Sequence, residues 1–522
     1  MTTLTTSLPP FRNEAVRDFA DAGDRASLEA ALGRLRGRRG RRYPLLIDGK
    51  RIDTAVTIRS LNPAHPDQVV GEVGSASLEQ ANAAIEAAAR AFERWKNEPA
   101  ERRADVLLRA ADLVRRRRDD FNALLILEVG KSWPEADADT AEAIDFLEFY
   151  AREALRYDRP PPLTPISGEQ NYLRYLPLGV GIVIPPWNFA FAIMAGMTSA
   201  AVVTGNAVVL KPSSDAPVVA ATFVDLLEEA GLPPGVLNFV PGSGKLIGDA
   251  LVANSQTRFI AFTGSKDVGL RINELAAKPQ PGQKWIKRVI AEMGGKDAVI
   301  VAADADLGKA VEGVAVSAFG FQGQKCSACS RAIVEAGIYD EFLERLVRRV
   351  GEITTGDPAD PGTFMGPVVN EGARRSILSY IEAGKKEGRL VAGGFAMERD
   401  GGYYIAPTVI ADVPPDARIA QEEIFGPVLA VIRASSYEEA LRIANESEYG
   451  LTGSVYSRDD EKLRRAADEF FVGNLYFNRK STGALVGGHP FGGFNLSGTD
   501  SKAGGYDYLL LFLQAKTVSR KL

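Results

Sequence analysis

The chain has 522 residues, 45% hydrophobic and 25% charged, with a formal net charge of −5. That length exceeds one ordinary core and predicts two or three domains, while the acidic balance argues against nucleic acid as the main partner. Two cysteines exclude a disulfide scaffold, and their scarcity fits a reducing, cytoplasmic compartment. Residues 1–43 read as a charged helical arm, and residues 1–7 show no basic stretch leading into an apolar one, so no secretory signal is expected. No apolar run approaches the roughly 18 residues of a membrane span. Basic runs at 36–42 and 115–118 lie on helical stretches and are expected to be solvated helix surface.

Leu45-Leu46-Ile47-Asp48-Gly49-Lys50 carries a hairpin signal, a short strand followed by Asp-Gly. Helical periodicity covers 78–95, 100–129 and 133–157, and the last helix stops at Pro160-Pro161-Pro162. From Leu178 the pattern changes. Apolar strands at 180–184, 207–210, 236–240 and 259–262 alternate with helices at 191–203, 217–230, 245–253 and 268–277. Such alternation specifies an α/β fold with a parallel sheet covered on both faces, which binds ligands at the carboxyl ends of its strands. A second set, at 298–301, 332–334, 428–432 and 453–456, predicts a second α/β domain. The apolar tail at 508–518 reads as a strand too short to fold alone, and pairing with another subunit makes a homo-oligomer the expectation.

A helix predicted over 307–321 leads into Gln324-Lys325-Cys326-Ser327, a polar turn before the strand at Ala332. A thiolate is the strongest nucleophile a side chain offers near neutral pH, and covalent catalysis needs it reachable, beside an activating group. Lys325 is expected to favour the thiolate by charge. Cys329 completes a C-x-x-C pair, but there is no second cysteine pair and the only histidines are His65 and His489, so a zinc site is not expected and Cys329 reads as ordinary packing.

Five strand-end turns hold polar residues that a core does not need: Pro185-Pro186-Trp187-Asn188, Lys211-Pro212-Ser213-Ser214, Phe262-Thr263-Gly264-Ser265, Glu292-Met293-Gly294-Gly295-Lys296 and Glu422-Glu423-Ile424-Phe425-Gly426-Pro427. The run Gly242-Ser243-Gly244-Lys245 lacks the Ser/Thr of a phosphate loop and the spacing of a dinucleotide fingerprint. With Cys326, the five turns resemble the aldehyde dehydrogenase superfamily from Tyr43 to Lys516. The resemblance implies a Rossmann-type cofactor domain (44–162 and 181–294), an α/β catalytic domain (295–490), and a small β oligomerisation element from strands at 163–180 and 506–522.

It also implies roles. Cys326 attacks an aldehyde, Asn188 and the Cys326 N–H hold the oxyanion, and Glu292 is the base that hydrolyses the thioester. NAD would be held by Lys211 and Glu423 at the riboses and by Ser265 at a helix start beside the pyrophosphate. Ile184, Pro185, Trp187, Ser213, Ser214, Gly244, Gly264, Met293, Gly294 and Phe425 complete the cofactor contacts. NADP use is also expected, because the residue three after Lys211 is Ser214 where strictly NAD-selective relatives often carry glutamate.

Within the superfamily, Phe319-Gly-Phe-Gln-Gly-Gln-Lys-Cys-Ser-Ala328, Asn478-Arg-Lys-Ser-Thr-Gly-Ala484 and Pro490-Phe491-Gly492-Gly493 resemble the glutamate-γ-semialdehyde dehydrogenases of proline breakdown. The resemblance implies that Ser327, Gly483 and Ala484 hold the substrate carboxylate, that Phe491 packs on its aliphatic stem, that Glu142 faces its ammonium, and that Lys325 belongs to the same pocket. It implies no nucleic acid or membrane partner and a functional link to a separate proline dehydrogenase, since residues 1–43 are too few to form one. Succinic semialdehyde dehydrogenation, or a non-catalytic structural role, are the alternative readings.

Overall fold

The computed structural model describes residues 8–37 and 40–522. Residues 1–7, which bear the signal-peptide reading, and Arg38 and Arg39 of the basic run lie outside the described residues.

Two seven-stranded sheets organise the chain. In the first, Arg288–Glu292, Thr257–Thr263, Val180–Ile184, Ala207–Leu210 and Leu237–Phe239 run parallel in that order, and the hairpin Leu45–Ile47/Lys50–Ile52 extends the edge antiparallel. Asp48 and Gly49 both take positive φ (54° and 73°), the conformation a two-residue hairpin turn demands. The central strands are apolar at nearly every position because both faces are covered. Val183, Val208 and Leu210 join one core, whereas Ile182, Ala207 and Val209 join another on the opposite face.

The second sheet runs Arg389–Ala392, Thr408–Ala411, Val428–Ala434, Arg331–Glu335, Ala298–Val301, Thr452–Tyr456 and Asn474–Phe477, parallel except at its first edge. It too divides its alternate residues between two cores. In the first sheet Val180–Ile184 lies between Ala207–Leu210 and Thr257–Thr263. The chain therefore leaves that strand in one direction and returns on its other side, opening a crevice at the carboxyl ends, where open α/β sheets bind ligands.

The structure corrects several expectations. The helix over 100–129 is two, Ala100–Arg116 and Arg118–Val129, broken at Arg117 (φ −114°, ψ 20°). The N-terminal arm is helical only over Ala22–Arg36; residues 8–18 run without helix or strand, and Arg41–Tyr43 is a strand parallel to His65–Gly74. The run 115–118 is not simply solvated. Arg118 is buried, with Nε and Nη2 on Asp137 and Nη1 reaching Glu14, and Arg115 reaches Glu14 and Glu148, so charge complementarity anchors the arm. The tail is a short 3₁₀ turn, Tyr508–Phe512, followed by the strand Leu513–Lys521, and that strand pairs within the chain, antiparallel to Glu169–Pro177. Strands Thr57–Asn62 and His65–Gly74 escaped the sequence reading. Among the described residues no helix is long and apolar enough to cross a membrane.

Candidate active site

The helix Leu307–Phe319 ends two residues before Phe321 and Gln322, both left-handed (φ 50° and 58°). Bulky residues hold that conformation only when their surroundings insist. Gln322 Nε2 donates to Gly130 O at 3.0 Å and Pro367 O at 2.7 Å. The Lys131 ammonium, fully buried and paired with Asp139 at 2.9 Å, lies 4.8 Å from the Phe321 ring centroid. At Gly323 (φ +66°) a Cβ would stand 2.3 Å from Gly426 O, so only glycine fits. This clamped turn presents Cys326 half-buried at the junction of two cavities, while Cys329 is 1% exposed and belongs to the core, as read from the sequence.

The first cavity is a cleft of about 490 Å³ running from the carboxyl ends of the first sheet to Cys326. Every sequence-identified cofactor residue except Gly244 lines it, with Asn188, Thr263, Val268 and Asp215. Gly244 instead opens a one-turn π-helix, Gly244–Gly248, and is not among the lining residues. Lys211 is 7% exposed, and its ammonium donates only to Pro212 O at 3.2 Å; burial lowers its pKa to about 8. Glu423 accepts from Gly295 N at 3.1 Å, and burial raises its pKa to about 7. A Cβ on Gly294 would stand 2.1 Å from Glu423 Oε2, so glycine is what lets the carboxylate approach the chain there. Ser265, which lines the cleft, is the N-cap of Lys266–Ala277, and the first N–H groups of a helix favour an anion. Two desolvated charges of opposite sign without ion-pair partners, and a helix start between them in sequence, suit the hydroxyls and phosphates of a dinucleotide.

The second cavity, about 100 Å³, is apolar-walled and lined by Glu142, Glu292, Cys326, Ser327, Gly483, Ala484 and Phe491, with Phe146, Tyr150 and Tyr508 among its aromatic walls. Lys325 lines neither cavity. Its ammonium pairs with Glu135 at 2.6 Å, which corrects the expectation that it activates the thiol: the nearby charge is neutralised by a closer carboxylate. Burial, and the carboxylates of Asp297, Glu423 and Glu292, instead hold the Cys326 thiol well above its usual value.

Asn188 is 4% exposed, and its Nδ2 donates to Gln324 O at 3.0 Å, which ties the first sheet to the nucleophile turn. The same nitrogen carries a second N–H. Glu292 ends its strand with a pKa raised to about 7, burial outweighing hydrogen bonds from the Ser501 hydroxyl and from Gly493 N at 3.2 Å. Glu142 is raised further, to about 8, by burial and by Asp139. Ser501 escaped the sequence reading. It sits 209 residues from Glu292 in a polar, aperiodic stretch, and no local signal marks such a pairing. The arrangement supplies a thiol, an amide donor and a carboxyl near neutrality around one point, which is what acyl transfer through a cysteine requires.

Residues 52–518 match the model of the aldehyde dehydrogenase family. The chain is 56% identical over 510 residues to 1-pyrroline-5-carboxylate dehydrogenase of Geobacillus sp. (strain WCH70), covering 98% of this chain and 99% of that one. A crystal structure of 1-pyrroline-5-carboxylate dehydrogenase from Thermus with bound NAD superposes with a TM-score of 0.97 at 53% identity, covering 99% and 100% of the two chains. Proline utilization A from Bdellovibrio bacteriovorus superposes at 0.96 with 46% identity, over 98% of this chain and 53% of that larger one.

Proposed function

The chain belongs to the aldehyde dehydrogenase family, and from that premise we propose that it oxidises L-glutamate γ-semialdehyde, the open form of 1-pyrroline-5-carboxylate, to L-glutamate. The observation that carries this reading is the second cavity. Beyond Cys326 it ends in a serine, a Gly-Ala turn and the half-buried Glu142 carboxyl, the set that an α-amino acid terminus asks for. Successive N–H groups at Gly483 (φ +80°) and Ala484 receive the carboxylate with the Ser327 hydroxyl. Phe491 packs on the stem. Glu142, its pKa raised to about 8 by burial, gives up its proton when an ammonium arrives beside it.

Attack by Cys326 Sγ forms the S–C bond and moves the carbonyl electron pair onto oxygen, where the free Asn188 N–H and the Cys326 backbone N–H donate to it. Because the resting thiol is protonated, attack is coupled to loss of its proton to water. Bound NAD supplies the acceptor for the hydride that the tetrahedral carbon must lose to become a thioester. Lys211 and Glu423 hold the two riboses, and the start of Lys266–Ala277 holds the pyrophosphate. Glu292 then removes a proton from water as it attacks the thioester, and the C–S bond breaks to return the thiolate.

We assign 44–162 and 181–294 to nucleotide binding and 295–490 to catalysis. The segments 163–180 and 506–522, whose strands Glu169–Pro177 and Leu513–Lys521 form a two-stranded ribbon, are assigned to contact between subunits. A cytoplasmic enzyme with free thiols fits a reducing compartment, and its substrate is the product of a separate proline dehydrogenase. The test is NADH formation from glutamate semialdehyde, succinic semialdehyde and pentanal. Glutamate semialdehyde should lead in kcat/KM by at least about tenfold, the weight of one well-made charged contact; parity with either rival would remove the assignment.

A further inference from the structure

The N-terminal segment takes no part in this chemistry, yet it is fastened to the loop that carries Gly483 and Ala484. Asn13 places its two side-chain N–H groups on two different elements, donating to Asp145 Oδ2 at 2.8 Å and to Val486 O at 2.9 Å. Val486 is two residues past Ala484 and 4% exposed. Asp145 is equally buried and lies on the helix Trp133–Tyr157, three residues beyond Glu142. Its other oxygen accepts from Glu14 N at 2.6 Å. One amide of the arm thus spans both walls of the amino acid end of the cavity.

Phe11 adds an apolar contact at the same place. Its ring meets Phe149 of that helix edge-on, centroids 5.2 Å apart at 71°. Gly487 (φ +77°) passes beneath both rings, and a Cβ there would stand 3.2 Å from a carbon of each. The arm has its own foundation: Arg17 N donates to Asp137 Oδ2 at 2.7 Å, Arg118 Nη2 to Ala15 O at 2.9 Å, and Phe19 packs edge-on against Trp133. The loop's internal hydrogen bonds are short-range, as in Gly488 N and His489 N to Leu485 O, while Gly487 N donates to Gly504 O at 2.8 Å. Its height above the cavity therefore depends on the contacts that hold it from outside, those of the arm together with that of Gly504.

We infer that Asn13 and Phe11 are positioning residues for substrate selection: the arm sets the 483–487 loop so that its N–H groups converge on the carboxylate end of the substrate. The inference rests on the reading of that loop as the carboxylate anchor. Neither residue touches the aldehyde, so the effect is confined to substrates that use the loop.

The experiment compares the full chain with its Asn13→Ala, Asn13→Asp and Phe11→Ala variants, each with saturating NAD, on glutamate semialdehyde and on pentanal, which has the aldehyde but no amino acid end. Losing a hydrogen bond to a buried partner should raise KM for glutamate semialdehyde about fivefold to tenfold in Asn13→Ala. Asn13→Asp should be worse, because it loses the same two N–H groups and also sets a second carboxylate against Asp145. Constants for pentanal and the rate of Cys326 alkylation by iodoacetamide should not move. Equal losses on both substrates would reduce the arm to general stability and overturn the inference, as would an unchanged KM in all three variants. A wild type with no preference for glutamate semialdehyde would sink the anchor reading itself.

Discussion

Ser501→Ala isolates how Glu292, the proposed general base, is tuned. Glu292 sits near pH 7 because burial raises its pKa while hydrogen bonds from Ser501, Gly493 and a nearby Lys502 charge lower it. The Ser501 hydroxyl bonds the ionised form, so its removal destabilises the carboxylate and the pKa climbs. A hydrogen bond to a charged group contributes about 1.5–3 kcal/mol, roughly one to two pKa units. The base works only when ionised. With a wild-type pKa of about 7, half of Glu292 is ready at pH 7; a shift of that size leaves about 1–10% ready, a loss of roughly fivefold to fiftyfold in thioester hydrolysis. Wild type and variant should converge above about pH 9.5. Stopped-flow mixing separates the events: the first equivalent of NADH should appear as a burst, and the steady rate after it should carry the pH shift, with acyl-enzyme visible by mass spectrometry. A Ser501→Ala profile that overlays wild type from pH 6 to 10 would refute the account of the base.

Cys326→Ala should abolish NADH formation, whereas Cys329→Ala, which empties only a small core volume, should keep activity and cost about 1 kcal/mol in urea unfolding; comparable activity losses would mean the pair acts together. Ser214→Glu should suppress NADP turnover far more than NAD turnover, because a carboxylate beside Lys211 repels a 2′-phosphate. Asp215 lines the same cleft, so wild-type NADP use should stay below NAD use, and an unchanged cofactor ratio in Ser214→Glu would remove the adenosine assignment. Lys131→Met leaves Asp139 fully buried without its cation, a loss of about 3–5 kcal/mol that should lower the urea midpoint; an unchanged midpoint would mean that the pair does not hold the turn.

The parallel sheets were legible because buried strands such as Val180–Ile184 are apolar at every position, and their polar turns stand out against that background. Cys326, Asn188 and Glu292 were singled out through the resemblance of their turns, not through any pattern of period, and the structure places all three beside the two cavities. What stayed hidden is long-range. The break at Arg117 carries no proline or glycine, so periodicity runs straight through it. Lys325 invites a role beside Cys326 until Glu135, 190 residues earlier, is seen to hold it. The two-residue left-handed turn at Phe321 and Gln322 contradicts local preference and is imposed by Gly130, Lys131 and Pro367, none of them near in sequence.

Glu292 closes an edge strand of one sheet, and Ala298 opens a strand of the other. The polypeptide itself therefore helps to set the span between the proposed base and the proposed nucleophile: residues 293–297 bridge the two sheets. Each core could remain intact while a slight slide between them puts the two groups out of register. Loss of turnover in mild urea should then precede any loss of helical signal, and a single residue inserted at 293–297 would silence the enzyme while leaving both cores folded.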